Sequence, residues 1–265
     1  MIHSGAPRAS GAARAARTIG VIAIIGIIGI SAAVLSPFGA DVRRRINDNA
    51  VCCQVPFTRN LVLSINEALG RAPAFYSEVG QDKWLIETVF PEVTGGFFLD
   101  VGSGHGTIGS NTKRLEELGW TGVCIDPFPK HMEGRTCVMR KDVVFSKAGE
   151  HVSFRASGDL GGIADTLGAW KDEASKAPLV AFTTVTLGDI LAETHAPAFI
   201  HFMSLDIEGA ELEALKGFPF DRYQIGAMVI EHNYEEPKRS DIEAFLRDRG
   251  YHRVHSVKQD DFYLR

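Results

Sequence analysis

Gly96-Phe97-Phe98-Leu99-Asp100-Val101, running straight into Gly102-Ser103-Gly104-His105-Gly106, is the stretch that decides the fold. An apolar run without polar alternation predicts a short strand buried on both faces. The glycines after it permit positive φ and let a ligand come close to the backbone. Asn111 to Leu118 then carries a helical pattern closed by Gly119, and Gly122-Val123-Cys124-Ile125-Asp126 reads as a second strand stopped by Pro127. In an open α/β sheet, the crevice at the carboxyl ends of such strands binds ligands.

Asp126 ends its strand 26 residues after Asp100, where a carboxylate can accept hydrogen bonds from both hydroxyls of a ribose. That pair points to a nucleoside-containing cofactor. The dinucleotide fingerprint G-x-G-x-x-G would put its third glycine where Thr107 stands, which disfavours a nicotinamide oxidoreductase. The spacing D-x-G-x-G-x-G suits S-adenosylmethionine, which has no pyrophosphate to seat on a helix N-terminus. The cofactor-binding candidates are Asp100, Gly102, Gly104 and Asp126, with Ser110 and Asn111 nearby. Phe128 is placed to stack on adenine, whereas Trp120 reads as a core aromatic.

Outward from this unit the alternation continues. Cys137 to Arg140, Val152 to Arg155, Phe199 to Leu205 and Ala227 to Glu231 read as strands. Ala210 to Lys216 and Ser240 to Asp248 read as helices, the second with Ser240 as N-cap, and Tyr251 to Val257 pairs with Asp261 to Leu264 as a terminal hairpin. Buried strands alternating with helices predict an α/β, doubly wound domain over residues 75–265. The segment from Val144 to Thr184 carries no motif and is expected to supply much of the acceptor pocket. Asp165, Trp170 and Lys171 within it receive no role.

The first 74 residues are different in kind. The chain has 265 residues and a formal charge of −5, yet residues 1–45 hold six arginines against Asp41 alone, leaving the remainder at −10. A body this acidic lacks the footprint of a nucleic-acid binder. Thr18 to Phe38 contains no charge, and 21 residues of helix at about 1.5 Å each just span a hydrocarbon core of about 30 Å. We therefore expect a basic segment at 1–17, a transmembrane helix at 18–38 and a connector at 39–74. A cleaved signal peptide and an organelle presequence are the rivals. Three arginines flank each side, so the positive-inside rule gives no orientation. Cys52-Cys53 beside the membrane is a palmitoylation candidate, or an unmodified pair.

Further blocks make a resemblance specific. Gly80-Gln81-Asp82, the Gly96–Gly102 run, Gly109-Ser110-Asn111-Thr112, Gly119-Trp120-Thr121-Gly122-Val123-Cys124-Ile125-Asp126-Pro127, Ser204-Leu205-Asp206-Ile207-Glu208-Gly209-Ala210-Glu211 and Ile230-Glu231-His232-Asn233 occur in the order of the FkbM-type S-adenosylmethionine-dependent methyltransferases, which the chain resembles from about Phe75 to Gly250. The resemblance implies a Rossmann-like, seven-stranded, mostly parallel sheet, S-adenosylmethionine as cofactor, and methyl transfer to a hydroxyl, often on a sugar or natural product. It also implies that Asp142 holds the adenine amino group, the bland alternative being a solvated turn acid. His105 departs from the pattern, standing where the family loop often carries Asp. That departure is the support for a rival, a catalytically inactive membrane adaptor of the same fold.

Methyl transfer needs positioning and a way to remove the acceptor's proton. The expected catalytic groups are Asp206, Glu208, Glu231 and His232, with Glu211 structural or catalytic. Metal-free catalysis is the expectation. The alternative is a divalent cation on Asp206, Glu231 and His232. Asp206 and Glu208 can also be read as acids capping the next helix, and His201 as a buried, hydrogen-bonded histidine. Cys124 and Cys137 are expected as buried free thiols, with pairing left open for an oxidising compartment.

Overall fold

The computed structural model describes residues 75–265. The expected segments 1–17, 18–38 and 39–74, with Cys52-Cys53, lie outside the described residues. Among the described residues no helix is long and apolar enough to cross a membrane.

Ten strands run in chain order: β1 (Phe97–Val101), β2 (Thr121–Ile125), β3 (Val138–Arg140), β4 (His151–Arg155), β5 (Gly162–Ile163), β6 (Leu179–Thr183), β7 (Phe199–Leu205), β8 (Gln224–Glu231), β9 (His252–Val257) and β10 (Asp260–Leu264). Seven form one sheet in the order β3-β2-β1-β7-β8-β10-β9. The β1–β2, β2–β3, β1–β7 and β7–β8 pairs are parallel, and β10 runs antiparallel to β8 and β9. This is the expected doubly wound, mostly parallel sheet. The chain leaves β1 toward β2 and β3 on one side, and β7 and β8 fill the other, so the switch point lies between β1 and β7.

Period-two alternation sends the strand residues to two cores. Leu99, Val101, Val123, Ile125, Met203 and Leu205 pack on one face against the helices Leu187–Glu193, Glu211–Lys216 and Lys238–Arg247. Phe98, Cys124, Phe202, Val229 and Phe262 pack on the other against Val79, Leu85, Leu115 and Trp120. Trp120 is core, as expected; its Nε1–H donates to the Val93 carbonyl at 3.1 Å.

Three expectations change. β4 does not extend the main sheet; it pairs antiparallel with β5 and β6 in a separate three-stranded sheet. The helix after the cis Glu236-Pro237 bond begins at Lys238, so Ser240 sits in its first turn and donates to Glu236 Oε2 instead of capping. Cys124 and Cys137 are joined in a disulfide, with Cα atoms 5.8 Å apart. The parallel register sets Val123 opposite Val138 and Cys124 opposite Met139, so Cys137, one residue ahead of β3, lies beside β2 within bridging distance of Cys124.

Candidate active site

The Gly-rich loop turns at the carboxyl end of β1, over the switch point. Gly102 (φ 84) and Gly104 (φ 47) both have left-handed backbone. A Cβ at Gly102 would run into the Asp206 carbonyl oxygen, so the close approach of this loop to the end of β7 requires glycine. Gly104 has no such clash; a Cβ there would meet only Gly102 O, at an ordinary 3.9 Å. Asp126 fixes the loop from β2: its Oδ2 accepts from Gly104 N at 2.9 Å and its Oδ1 from Phe128 N at 2.7 Å. Each carboxylate oxygen keeps a second lone pair for a ligand hydroxyl. His105 Nδ1 accepts from Thr107 N and Ile108 N, both at 3.1 Å.

Beside the loop lies a cavity of about 490 Å³. Its lining includes Asp100, Gly102, Gly104, Ser110, Asn111, Asp126 and Asp142 together with Asp206, Glu208 and Glu231. Not all of the first set present a free group. Asp100 is buried, accepts from Thr112 Oγ1 and faces Arg135 at 3.9 Å. Burial pushes its carboxyl upward against the pull of Arg135 and Thr112. Ser110 Oγ, also buried, accepts from Lys113 N at 3.1 Å and Arg135 Nη1 at 3.2 Å. Asp142 is ion-paired with Arg140 at 2.8 Å. Asn111 donates to Ser204 Oγ at 2.8 Å and leaves its Oδ1 without a hydrogen-bond partner.

The carboxylates converge. One oxygen each from Asp206, Glu208 and Glu231 lies within 4.8 Å of the others. Their positions follow from the fold: Asp206 leaves β7, Glu231 ends the adjacent parallel β8, and Glu208 sits at φ 56 in the turn between Asp206 and the next helix. A Cβ at Gly209 would strike the Thr166 carbonyl oxygen, and Glu211 Oε1 accepts from Ile207 N at 3.1 Å and Gly209 N at 3.0 Å. Glu211 is thus the staple of the turn, which holds Glu208 in a backbone region that non-glycine residues rarely adopt.

So many acids at one spot cannot all ionise. Burial raises the Asp206 carboxyl to about 7. Burial, then the charges of Asp206 and Glu211, raise Glu208 to about 9. Burial, then Asp206 and Glu208, push Glu231 up to about 12, so it stays protonated and shares its proton with Asp206. Asn233 Nδ2 donates to Glu231 at 2.6 Å and Glu208 at 3.1 Å. The same oxygen set has the spacing and hardness to hold a divalent cation.

His232 does not join them. Neighbouring residues of an extended chain point to opposite faces. With Glu231 in the cavity, His232 is buried behind the strand, its Nδ1 accepting from Tyr234 N at 2.9 Å and its Nε2 3.6 Å from Asp261. The trio Asp206, Glu231 and His232 is therefore replaced by Asp206, Glu208 and Glu231. His201 is hydrogen-bonded as expected but only half-buried, accepting from Phe97 N at 3.1 Å.

Sequence reasoning missed Glu78 and Asp159 on the cavity wall and the central place of Arg135 beneath the loop. Trp170, left without a role, also lines the cavity, as does the exposed Phe128, edge-on to Phe182 at 5.7 Å. The aromatic spacing carried no periodic signal, because these residues meet through the second sheet.

No curated protein matches the chain. A family model described as Methyltransferase FkbM domain matches residues 100–253, from the acid of the first strand into the terminal hairpin. With more than half its length covered by that match, the chain belongs to the FkbM methyltransferase family.

Proposed function

We propose that the crevice binds S-adenosylmethionine and that the chain is an O-methyltransferase whose carboxylate cluster takes the acceptor's proton. The observation that supports this most is that the Gly102–Gly104 cradle and the Asp206, Glu208 and Glu231 cluster open onto one cavity. The residues fit the group: no atom crowds Gly104 closely, and the lining bears eight carboxyl groups, not all ionised, with no lysine or arginine among the described residues. Such a surface favours a cofactor carrying sulfonium and ammonium charges. When bound, S-adenosylmethionine supplies an electrophilic methyl group on sulfur.

The chain's own part is positioning and proton handling. Asp126 would hold the ribose and the glycine loop the amino-acid portion, with Phe128 beside the adenine. Asp206 shares its proton with Glu231 and is held near 7 by burial, so it is poised to accept a proton from a hydroxyl at neutral pH. Glu208, raised further, stays protonated and lends a donor to the acceptor. Trp170, also on the lining, supplies an aromatic ring for a sugar to pack against. We read the acceptor as a hydroxyl of a sugar, glycolipid or similar metabolite, and the protein as tethered to a membrane through residues 18–38.

The test is calorimetry with S-adenosylhomocysteine. Wild type is expected to bind; Asp126→Ala is expected to lose at least about tenfold in affinity, the loss of a charged hydrogen-bonding partner. Wild type that ignores the compound at millimolar concentration would end the enzymatic reading.

A further inference from the structure

We propose that the Cys124–Cys137 bridge is a redox-sensitive clamp on the cofactor cradle, holding it ligand-ready when oxidised and loosening it when a dithiol reduces it. This rests on the reading of the crevice as the S-adenosylmethionine site.

The bridge closes a loop between two residues 13 apart, and that loop forms the back of the cradle. From inside it, Asp126 holds Gly104 N, Lys130 N donates to Gly104 O at 2.8 Å, and Gly106 N donates to Lys130 O at 2.8 Å. A Cβ at Gly106 would strike the His131 carbonyl oxygen, so the two segments lie in direct backbone contact. Arg135, with only 2% of its side chain exposed, ties the rest. Its Nη1 donates to Gly106 O at 3.2 Å, its Nη2 to Thr112 Oγ1 at 2.7 Å, and its Nε to Glu116 Oε2 at 2.7 Å. The other Glu116 oxygen accepts from Cys137 N at 2.8 Å. The Cys137 end of the loop and the glycine turn thus hang on the same two side chains. Opening the bridge removes the covalent tie at that end, leaving the Cys137 N–Glu116 hydrogen bond and the β2–β3 pairing to hold it, and so raises the ordering cost of ligand binding.

The chemistry at the sulfurs favours reversible opening. Cys137 is the less buried of the pair, and Arg135 Nη2 stands 3.3 Å from Cys124 Sγ. A reductant thiolate attacks Cys137 Sγ, the S–S bond breaks, and Cys124 leaves as a thiolate facing the guanidinium. The second thiol of the reductant then closes its own disulfide and releases Cys137. Two electrons pass from dithiol to bridge, and the two dithiol protons end on the cysteines.

The experiment uses the full chain carrying Cys52→Ser and Cys53→Ser, so that only this pair titrates. Affinity for S-adenosylhomocysteine is measured before and after dithiothreitol, at a temperature where near-ultraviolet circular dichroism shows both forms folded. Reduction is expected to raise Kd about five- to tenfold. Adding Cys124→Ser and Cys137→Ser should give the reduced-state affinity with no response to dithiothreitol. Equal affinity in the two redox states, or two free thiols in protein prepared in air, would overturn the clamp and leave the cofactor reading standing. No binding in the oxidised state would overturn both.

Discussion

His105 illustrates how one side chain substitutes for another by hydrogen-bond geometry. Its Nδ1 accepts from two successive turn amides, Thr107 N and Ile108 N, which is what an aspartate oxygen does in an Asx turn. The departure from the family's acid therefore preserves the hydrogen bonds that shape the loop. His105→Asp should keep S-adenosylhomocysteine affinity within about twofold, whereas His105→Ala leaves two turn amides without that acceptor and should weaken it about tenfold. Equal affinities for the two variants would show that the imidazole does not organise the turn. Asp206→Asn tests the opposite kind of residue, one whose buried charge costs stability and which the proposed mechanism makes the proton acceptor. It should abolish methyl transfer yet raise the melting temperature by several degrees at pH 8, because it removes a charge that burial and Glu211 both disfavour. Calorimetric melting beside an activity assay checks both halves.

Among the elements, the helix Leu187–Glu193 has the best-defined start. Thr186 Oγ1 accepts from Asp189 N at 3.1 Å while the Asp189 carboxylate accepts from Thr186 N at 3.1 Å, a reciprocal capping box. Thr186→Ala should cost about 1 kcal/mol in urea unfolding with an unchanged slope. A loss near zero would mean that packing of Leu187, Ile190 and Leu191 alone sets this end. The Thr-x-x-Asp spacing was visible in the sequence and is a signal that could have found the helix. What was legible follows a pattern: β1, β2, β7 and β8 are apolar runs buried on both faces, so local composition reports them. β4, β5 and β6 were harder because β4 and β6 alternate exposed and partly buried residues and β5 spans two residues. The β4–β6 pairing joins residues 24 to 32 apart in the chain. At the site, strand ends placed Asp206 and Glu231 together, but only the turn after β7 aims Glu208 at them, and the outward face of His232 depends on where β8 ends. The cysteine pairing was illegible for a related reason, since it depends on the register of β2 with β3.

For the whole molecule, two groups of buried acids oppose each other in pH dependence. Asp261 ties three elements: Arg239 on the helix Lys238–Arg247, and Arg253 and Ser256 on β9, all bond to it. Burial alone would raise its carboxyl, but those hydrogen bonds outweigh burial and hold it at about 2. A depressed folded value contributes stability that is present above the unfolded value of about 4 and is lost as pH falls toward 2, roughly 2 kcal/mol in all. Asp206 and Glu208 carry the opposite sign. Their folded values, about 7 and about 9, lie above the unfolded ones, so the folded state binds more protons. Stability is then greatest below about pH 4 from these groups and declines as pH rises through 7 and 9. The two limbs together predict a melting-temperature maximum at about pH 4. Asp261→Asn should flatten the acid limb alone. Asp206→Asn should flatten the alkaline limb by more than one group's share, because the Asp206 charge also raises Glu208 and Glu231. The chain's general negative charge steepens the alkaline limb in wild type and variant alike, so the difference between them isolates the cluster. Flattening by one group's share alone would mean that the three carboxylates ionise independently, and limbs that stay parallel would mean that Asp206 is not raised at all.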